Sequence, residues 1–132
     1  MPRVLVIDDD EDVRLLISNI ASAHDWQWDT LCDGQSGWAV LANAGEVYDL
    51  IFVDLRLPGH SGEELVSMAD KVVDSQKVVI ITGTIGELAD VREKTLSMWK
   101  CVRAIIHKPF GPDDIAPHLD AIAAELEETH KA

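Results

Sequence analysis

Basic residues are scarce in this chain: 11 lysines and arginines stand against 24 aspartates and glutamates, for a net charge of −13. That imbalance opposes direct binding to nucleic acid phosphates and to anionic membrane surfaces, so neither partner is expected. Long apolar runs are missing too. No stretch approaches the roughly 20 residues of a membrane span, and the start, Met1-Pro2-Arg3-Val4, reaches acid after four apolar residues, too few for a secretory leader. A cytoplasmic protein without membrane insertion is expected. The two cysteines, Cys32 and Cys101, are isolated, which argues against a disulfide or a thiolate metal site. They suit buried free thiols in a reducing compartment. The five histidines are scattered without ligand spacing, and none is a good candidate base. Trp26, Trp28, Trp38 and Trp99 are expected as packing residues rather than a ligand box. Internal repeats, low-complexity stretches and linkers are absent. A chain of 132 residues fits one domain, expected over 1–132 without an output domain; at this size about two-thirds of the unfolded surface can be buried.

What is present is a set of four short apolar runs, each ending in a residue able to handle a phosphoryl group. Val4-Leu5-Val6-Ile7 runs into Asp8-Asp9, Leu50-Ile51-Phe52-Val53 into Asp54, Val78-Val79-Ile80-Ile81 into Thr82, and Ala104-Ile105-Ile106-His107 into Lys108. Nearly unbroken runs of this length are the signature of parallel strands covered by helices on both faces. Strands are predicted near 3–8, 27–32, 49–54, 77–82 and 102–107, the second polar enough for an edge. Helical spacing places helices near 12–24, 35–44, 62–73, 86–99 and 113–128. Ser61-Gly62-Glu63-Glu64 has the form of a capping box, and Thr84-Ile85-Gly86-Glu87 repeats it. The last helix is expected to begin at about Asp114, which would keep Pro117 in the first turn. His107 is expected to face a covering helix.

Five strand–helix alternations imply a three-layer α/β/α sandwich with right-handed crossovers. In the flavodoxin-like order 2-1-3-4-5 the first and third strands are neighbours at the switch point, and Asp8, Asp9 and Asp54 meet there. Three carboxylates in one place repel, and a hard divalent cation such as Mg²⁺ removes that cost. Asp54 stands alone at a strand end before the turn sequence Leu57-Pro58-Gly59 and is the best candidate nucleophile, with Asp8 and Asp9 holding the metal. Lys108 supplies a point charge for the phosphoryl group, the Thr82 hydroxyl a donor, and Gly83 room at the backbone. Asp10, Glu11 and Asp12 suit the positive end of the first helix better than a second metal. A calcium loop is excluded, since its sixth position is Val13 and its twelfth Asn19.

These residues resemble the receiver domain of two-component response regulators, the group that includes the single-domain chemotaxis receiver. The likeness spans Val4 to about Leu126 and rests on Asp8-Asp9, Val53-Asp54-Leu55-Arg56-Leu57-Pro58-Gly59, Ile81-Thr82-Gly83 and Lys108-Pro109-Phe110, in order and at matching spacing. The resemblance implies that Asp54 accepts a phosphoryl group from a phosphohistidine of a sensor histidine kinase or histidine phosphotransfer protein, and that slow self-catalysed hydrolysis resets it. It implies Mg²⁺, with Mn²⁺ as a substitute, held by Asp9, Asp54, the Arg56 carbonyl and, through water, Asp8. The Arg56 and Gly83 backbone would contact the phosphoryl group, and a cis bond would precede Pro109. Such a protein acts on a downstream protein by docking, and a homodimer is compatible with it. The sequence departs from the family in one place: Ile105 stands where an aromatic residue usually responds to the threonine. Thr82 and Ile105 therefore mark an unorthodox switch region, with signalling expected through the loop and helix after Thr82.

Two other classes compete. A small Mg²⁺ phosphatase of the haloacid dehalogenase type would use Asp8 as nucleophile and Asp10 as acid and base; against it, no insert is long enough for a cap, and Asp113-Asp114 follow Gly111-Pro112 rather than an apolar strand. A flavodoxin needs a phosphate loop rich in hydroxyls and glycine after the first strand, where this chain has five consecutive acids.

Overall fold

The computed structural model describes residues 1–83, 96 and 98–131. Five strands, β1 (Arg3–Ile7), β2 (Gln27–Leu31), β3 (Leu50–Asp54), β4 (Val78–Thr82) and β5 (Val102–His107), form one parallel sheet in the order β2-β1-β3-β4-β5. Its helices are α1 (Glu11–Ala23), α2 (Gly34–Ala44), α3 (Gly62–Val72) and α4 (Pro112–Lys131), with a 3₁₀ turn at Gly45–Val47. The helix expected over 86–99 falls mostly outside the described residues.

Alternate residues of each run feed two separate cores, because side chains of a strand point to opposite faces. Leu5, Ile7, Ile51, Val53, Val78 and Ile80 pack with Leu41 of α2 and Leu65, Val66 and Ala69 of α3. Val4, Val6, Leu50, Phe52, Val79 and Ile81 pack with Ile17, Ile20 and Ala21 of α1 and Ile115, Leu119 and Ile122 of α4. The three inner strands are therefore unbroken apolar runs over 4–7, 50–53 and 78–81. The edge strand β2 is partly exposed along its whole length, as its polar composition requires.

The register aligns the C-terminal ends: Ile7 pairs with Val53, Asp54 with Ile81, and Thr82 with His107. Helix starts then set the loops above that edge. Asp10 caps α1 by accepting from the Asp12 amide at 2.9 Å, and Asp33 caps α2 by accepting from the Ser36 amide at 2.7 Å. Ser61 and Glu64 form the complete capping box at α3, side chain to backbone in both directions.

Several expectations are corrected. Helix α4 begins at Pro112, two residues before Asp114, so Pro117 lies inside the helix instead of in its first turn. Both Pro117 and Asp113, whose carbonyl loses an amide partner, are exposed, and water can take the place of that bond. Cys32 is exposed because it follows the edge strand β2, whereas Cys101 is buried and its thiol pushed up to about 12, chiefly by burial. His107 closes the other edge strand and is exposed rather than covered. Trp26 is buried, but Trp28 and Trp99 are 43% and 37% exposed.

Gly62 lets α3 seat on the end of β3, since a Cβ there would fall 2.4 Å from Leu55 Cα and 2.5 Å from the Asp54 carbonyl oxygen. Gly62→Ala should therefore lower stability by about 1–3 kcal/mol through overpacking, against the gain expected of Ala in a free helix. A urea midpoint equal to or above wild type would contradict this seating.

Candidate functional site

Asp8 follows β1, Asp54 ends β3, and these strands are neighbours, so the two carboxylates converge at the sheet edge together with Asp9. One oxygen from each of Asp8, Asp9 and Asp54 lies within 4.8 Å of the others. Asp8 is fully buried and Asp54 nearly so, whereas Asp9 is exposed at the mouth. Lys108, carried in after β5, places Nζ 3.2 Å from Asp54 Oδ2 and 3.4 Å from Asp8 Oδ2. Its own amide donates to the Thr82 carbonyl at 2.9 Å, which fixes the lysine beside the end of β4. The Lys108–Pro109 peptide bond is cis.

Backbone amides hold the acids in place. Asp8 Oδ1 accepts from the Asp10 amide at 2.8 Å, and Asp54 Oδ1 accepts from the Arg56 amide at 3.1 Å. Asp8 Oδ2 has no hydrogen-bond partner among the described residues although it is buried. Burial raises the Asp8 carboxyl to about 7 and nearby Asp54 adds to the rise, against the Asp10 amide and Lys108, which lower it. For Lys108 burial acts downward, but the charges of Asp8 and Asp54 outweigh it and the ammonium is held above its ordinary value. Three carboxylates against one ammonium leave the pocket negative. Hard oxygen donors at this spacing, one of them buried without a hydrogen bond among the described residues and met by the Lys108 ammonium, fit a small divalent cation. Asp8, Asp9 and Asp54 could hold it.

Thr82, buried at the end of β4, and Gly83, exposed, border the same edge. Among the described residues, nothing lies within 4 Å of a Cβ placed on Gly83. Ile105 lies lower in β5, paired with Ile80 and partly buried against the core under α2 and α3. Asp10, the acid and base of the phosphatase alternative, is occupied as the cap of α1. Sequence reasoning missed Arg14, whose Nη1 donates to the Asp8 carbonyl at 2.9 Å. The available signal was a lone cation one helical turn after the capping Asp10, just beyond a run of acids.

Residues 4–120 match the family model described as the response regulator receiver domain. Sporulation initiation phosphotransferase F of Bacillus subtilis (strain 168) is 29% identical over 115 residues, covering 86% of each chain. The regulatory protein VirG of Agrobacterium fabrum (strain C58) is 34% identical over 112 residues, which are 84% of this chain and 42% of that one. The chain thus spans most of the first relative but less than half of VirG, and similarly 34% of the response regulator RppA of Synechocystis. Among solved structures, a response regulator receiver domain protein (CheY-like) from Methanospirillum hungatei JF-1 superposes with a TM-score of 0.78 at 26% identity, covering 99% of this chain and 98% of that one.

The raised Asp8 carboxyl ties stability to pH. The folded protein keeps this proton up to about pH 7 while the unfolded chain releases it near 3.8, so the folded state binds more protons between those values and this group's contribution falls as pH rises through them. In EDTA at pH 8, Asp8→Asn should raise stability on the order of 2–4 kcal/mol, a gain that disappears near pH 4. Urea unfolding at both pH values checks it; a wild type more stable than Asp8→Asn at pH 8 would contradict it.

Proposed function

Because the chain belongs to the response regulator receiver domain family, whose work is phosphorylation-dependent signalling, we propose that Asp54 is the phosphoryl acceptor and draws its phosphoryl group from a phosphohistidine. The donor is a sensor histidine kinase or a histidine phosphotransfer protein in the cytoplasm. The observation that carries this reading is the meeting of Lys108 Nζ with Asp54 Oδ2 at 3.2 Å inside a cluster of three carboxylates. An acid already paired with a mobile ammonium can exchange that partner for a phosphoryl group without leaving either charge bare.

One Asp54 carboxylate oxygen attacks phosphorus in line. The new O–P bond forms as the N–P bond of the phosphohistidine breaks, and the electron pair returns to the imidazole nitrogen. Lys108 moves its charge from the carboxylates to the phosphoryl oxygens, the Thr82 hydroxyl donates to one of them, and the Arg56 and Gly83 amides cradle the group from the backbone. Asp9, Asp54, the Arg56 carbonyl and, through water, Asp8 would hold Mg²⁺, or Mn²⁺ in its place, which would supply charge neutralisation at the phosphoryl oxygens. Water later cleaves the acyl phosphate and resets Asp54. Such a protein catalyses its own modification and is not an enzyme in the ordinary sense.

Output is proposed to pass by docking onto a downstream protein, with a homodimer as one form it can take. Ile105 has no aromatic ring to swing, so the response to Thr82 is proposed to run through residues 83–99. The phosphatase reading is not favoured: its acid–base residue Asp10 is tied to the helix cap.

Incubation with Mg²⁺ and a small acyl phosphate should add one phosphoryl group at Asp54, and Asp54→Ala should take none. Label on Asp8, or repeated cleavage of ordinary phosphate esters that is lost in Asp8→Asn, would instead favour the phosphatase. For the output route, amide chemical shifts of residues 83–99 should change on adding a phosphoryl mimic; identical shifts would contradict it.

A further inference from the structure

The β3–α3 loop carries both the Arg56 amide that fixes Asp54 and the Arg56 carbonyl proposed above as a cation ligand. Whatever holds this loop therefore holds one wall of the site. In this chain it is fastened to α2. The Gly34 amide donates to the Pro58 carbonyl at 2.8 Å, and the approach is so close that a Cβ on Gly34 would fall 1.8 Å from the His60 carbonyl oxygen. Gly59, at φ +84°, turns the loop against α2, where its Cβ position lies 3.1 Å from the Gln35 nitrogen. The His60 ring lies flat on the Trp38 indole of α2, with centroids 4.4 Å apart and planes at 17°. At the ring edge His60 Nδ1 donates to Glu64 Oε2 at 2.7 Å, the carboxylate being an acceptor.

Glu64 is also the partner of the N-cap Ser61 in the capping box of α3, so one side chain joins the imidazole to the helix start. The His60 bond, followed by the Ser61 amide, holds the Glu64 carboxyl below its ordinary range. His60 and Trp38 are both partly exposed, so burial alone gives little reason for them to pair. Their geometry instead ties α2, the loop and α3 together within a few residues of Arg56.

We propose that Trp38 and His60 are positioning residues for the phosphoryl site: their stack, with Glu64 orienting the imidazole, holds the β3–α3 loop so that the Arg56 backbone faces Asp54 and the cation. The inference rests on the reading of the acid cluster as a Mg²⁺ pocket. A loop freed from α2 must be ordered when the cation binds, and that ordering weakens binding without removing a ligand.

The test uses the full chain with His60→Ala and His60→Phe, at one pH. Two measurements are made: hydrogen–deuterium exchange of residues 55–61 without metal, and Mg²⁺ binding by calorimetry. His60→Ala should exchange faster in this loop and bind Mg²⁺ about three- to tenfold more weakly, with a thermal midpoint close to wild type. His60→Phe, which keeps a flat ring on Trp38, should restore most of both. Wild-type Mg²⁺ affinity in His60→Ala, or no restoration in His60→Phe, would overturn the positioning role alone. A wild type that binds no Mg²⁺ would overturn the pocket reading and this proposal with it, whereas a wild type that binds Mg²⁺ but takes no phosphoryl group would overturn the acceptor reading and leave the loop measurements to support the positioning role.

Discussion

Concentrated negative charge at a buried sheet edge is the constraint on which the rest of this structure turns. Asp8 is fully buried with one oxygen that accepts no hydrogen bond among the described residues, and Asp54 is nearly as buried. Isolated carboxylates in such surroundings are costly, and here the cost is met by local devices: the Asp10 and Arg56 amides, and an ammonium that reaches both acids. These partners do not neutralise the pocket. The surplus of negative charge suits a cation, and the burial that raises the Asp8 carboxyl to about 7 sets a cost on ionising it. The role proposed for the site and the stability of the fold thus meet at one residue.

The parallel fold makes this concentration of charge feasible. Residues remote in sequence reach one edge because every strand points the same way, and the apolar runs that build the sheet supply two cores that outweigh a strained edge. Gly62, Gly34 and Gly59 let the loops above the edge approach backbone to backbone, so the acids sit on a frame with little slack.

Much of this was legible in the sequence for a physical reason. Strands covered on both faces must be apolar at every position, so the runs at 4–7, 50–53 and 78–81 mark inner strands, and the residue closing each run marks the edge. Asp8, Asp9, Asp54, Thr82 and Lys108 were found that way, and the structure brings the three acids and the lysine together. What escaped depends on contacts between segments. Exposure of Cys32 and His107 follows from side-chain burial at the ends of strands that the order 2-1-3-4-5 already puts at the edges, and the start of α4 from the Gly111–Asp114 pairing, where the Gly111 amide donates to Asp114 Oδ2 at 2.9 Å. The Arg14 bond to the Asp8 carbonyl and the Trp38–His60 stack join residues whose local patterns look like an ordinary helix face and an ordinary turn.

The most direct measurement is an anomalous difference map from crystals grown with Mn²⁺. One peak within coordinating distance of the Asp9 and Asp54 carboxylates and the Arg56 carbonyl, with Lys108 Nζ beside it, is the expected result. A peak on the exposed run of Asp10, Glu11 and Asp12 instead, or no peak at a concentration that supports labelling of Asp54, would contradict a single cation pocket built from these acids.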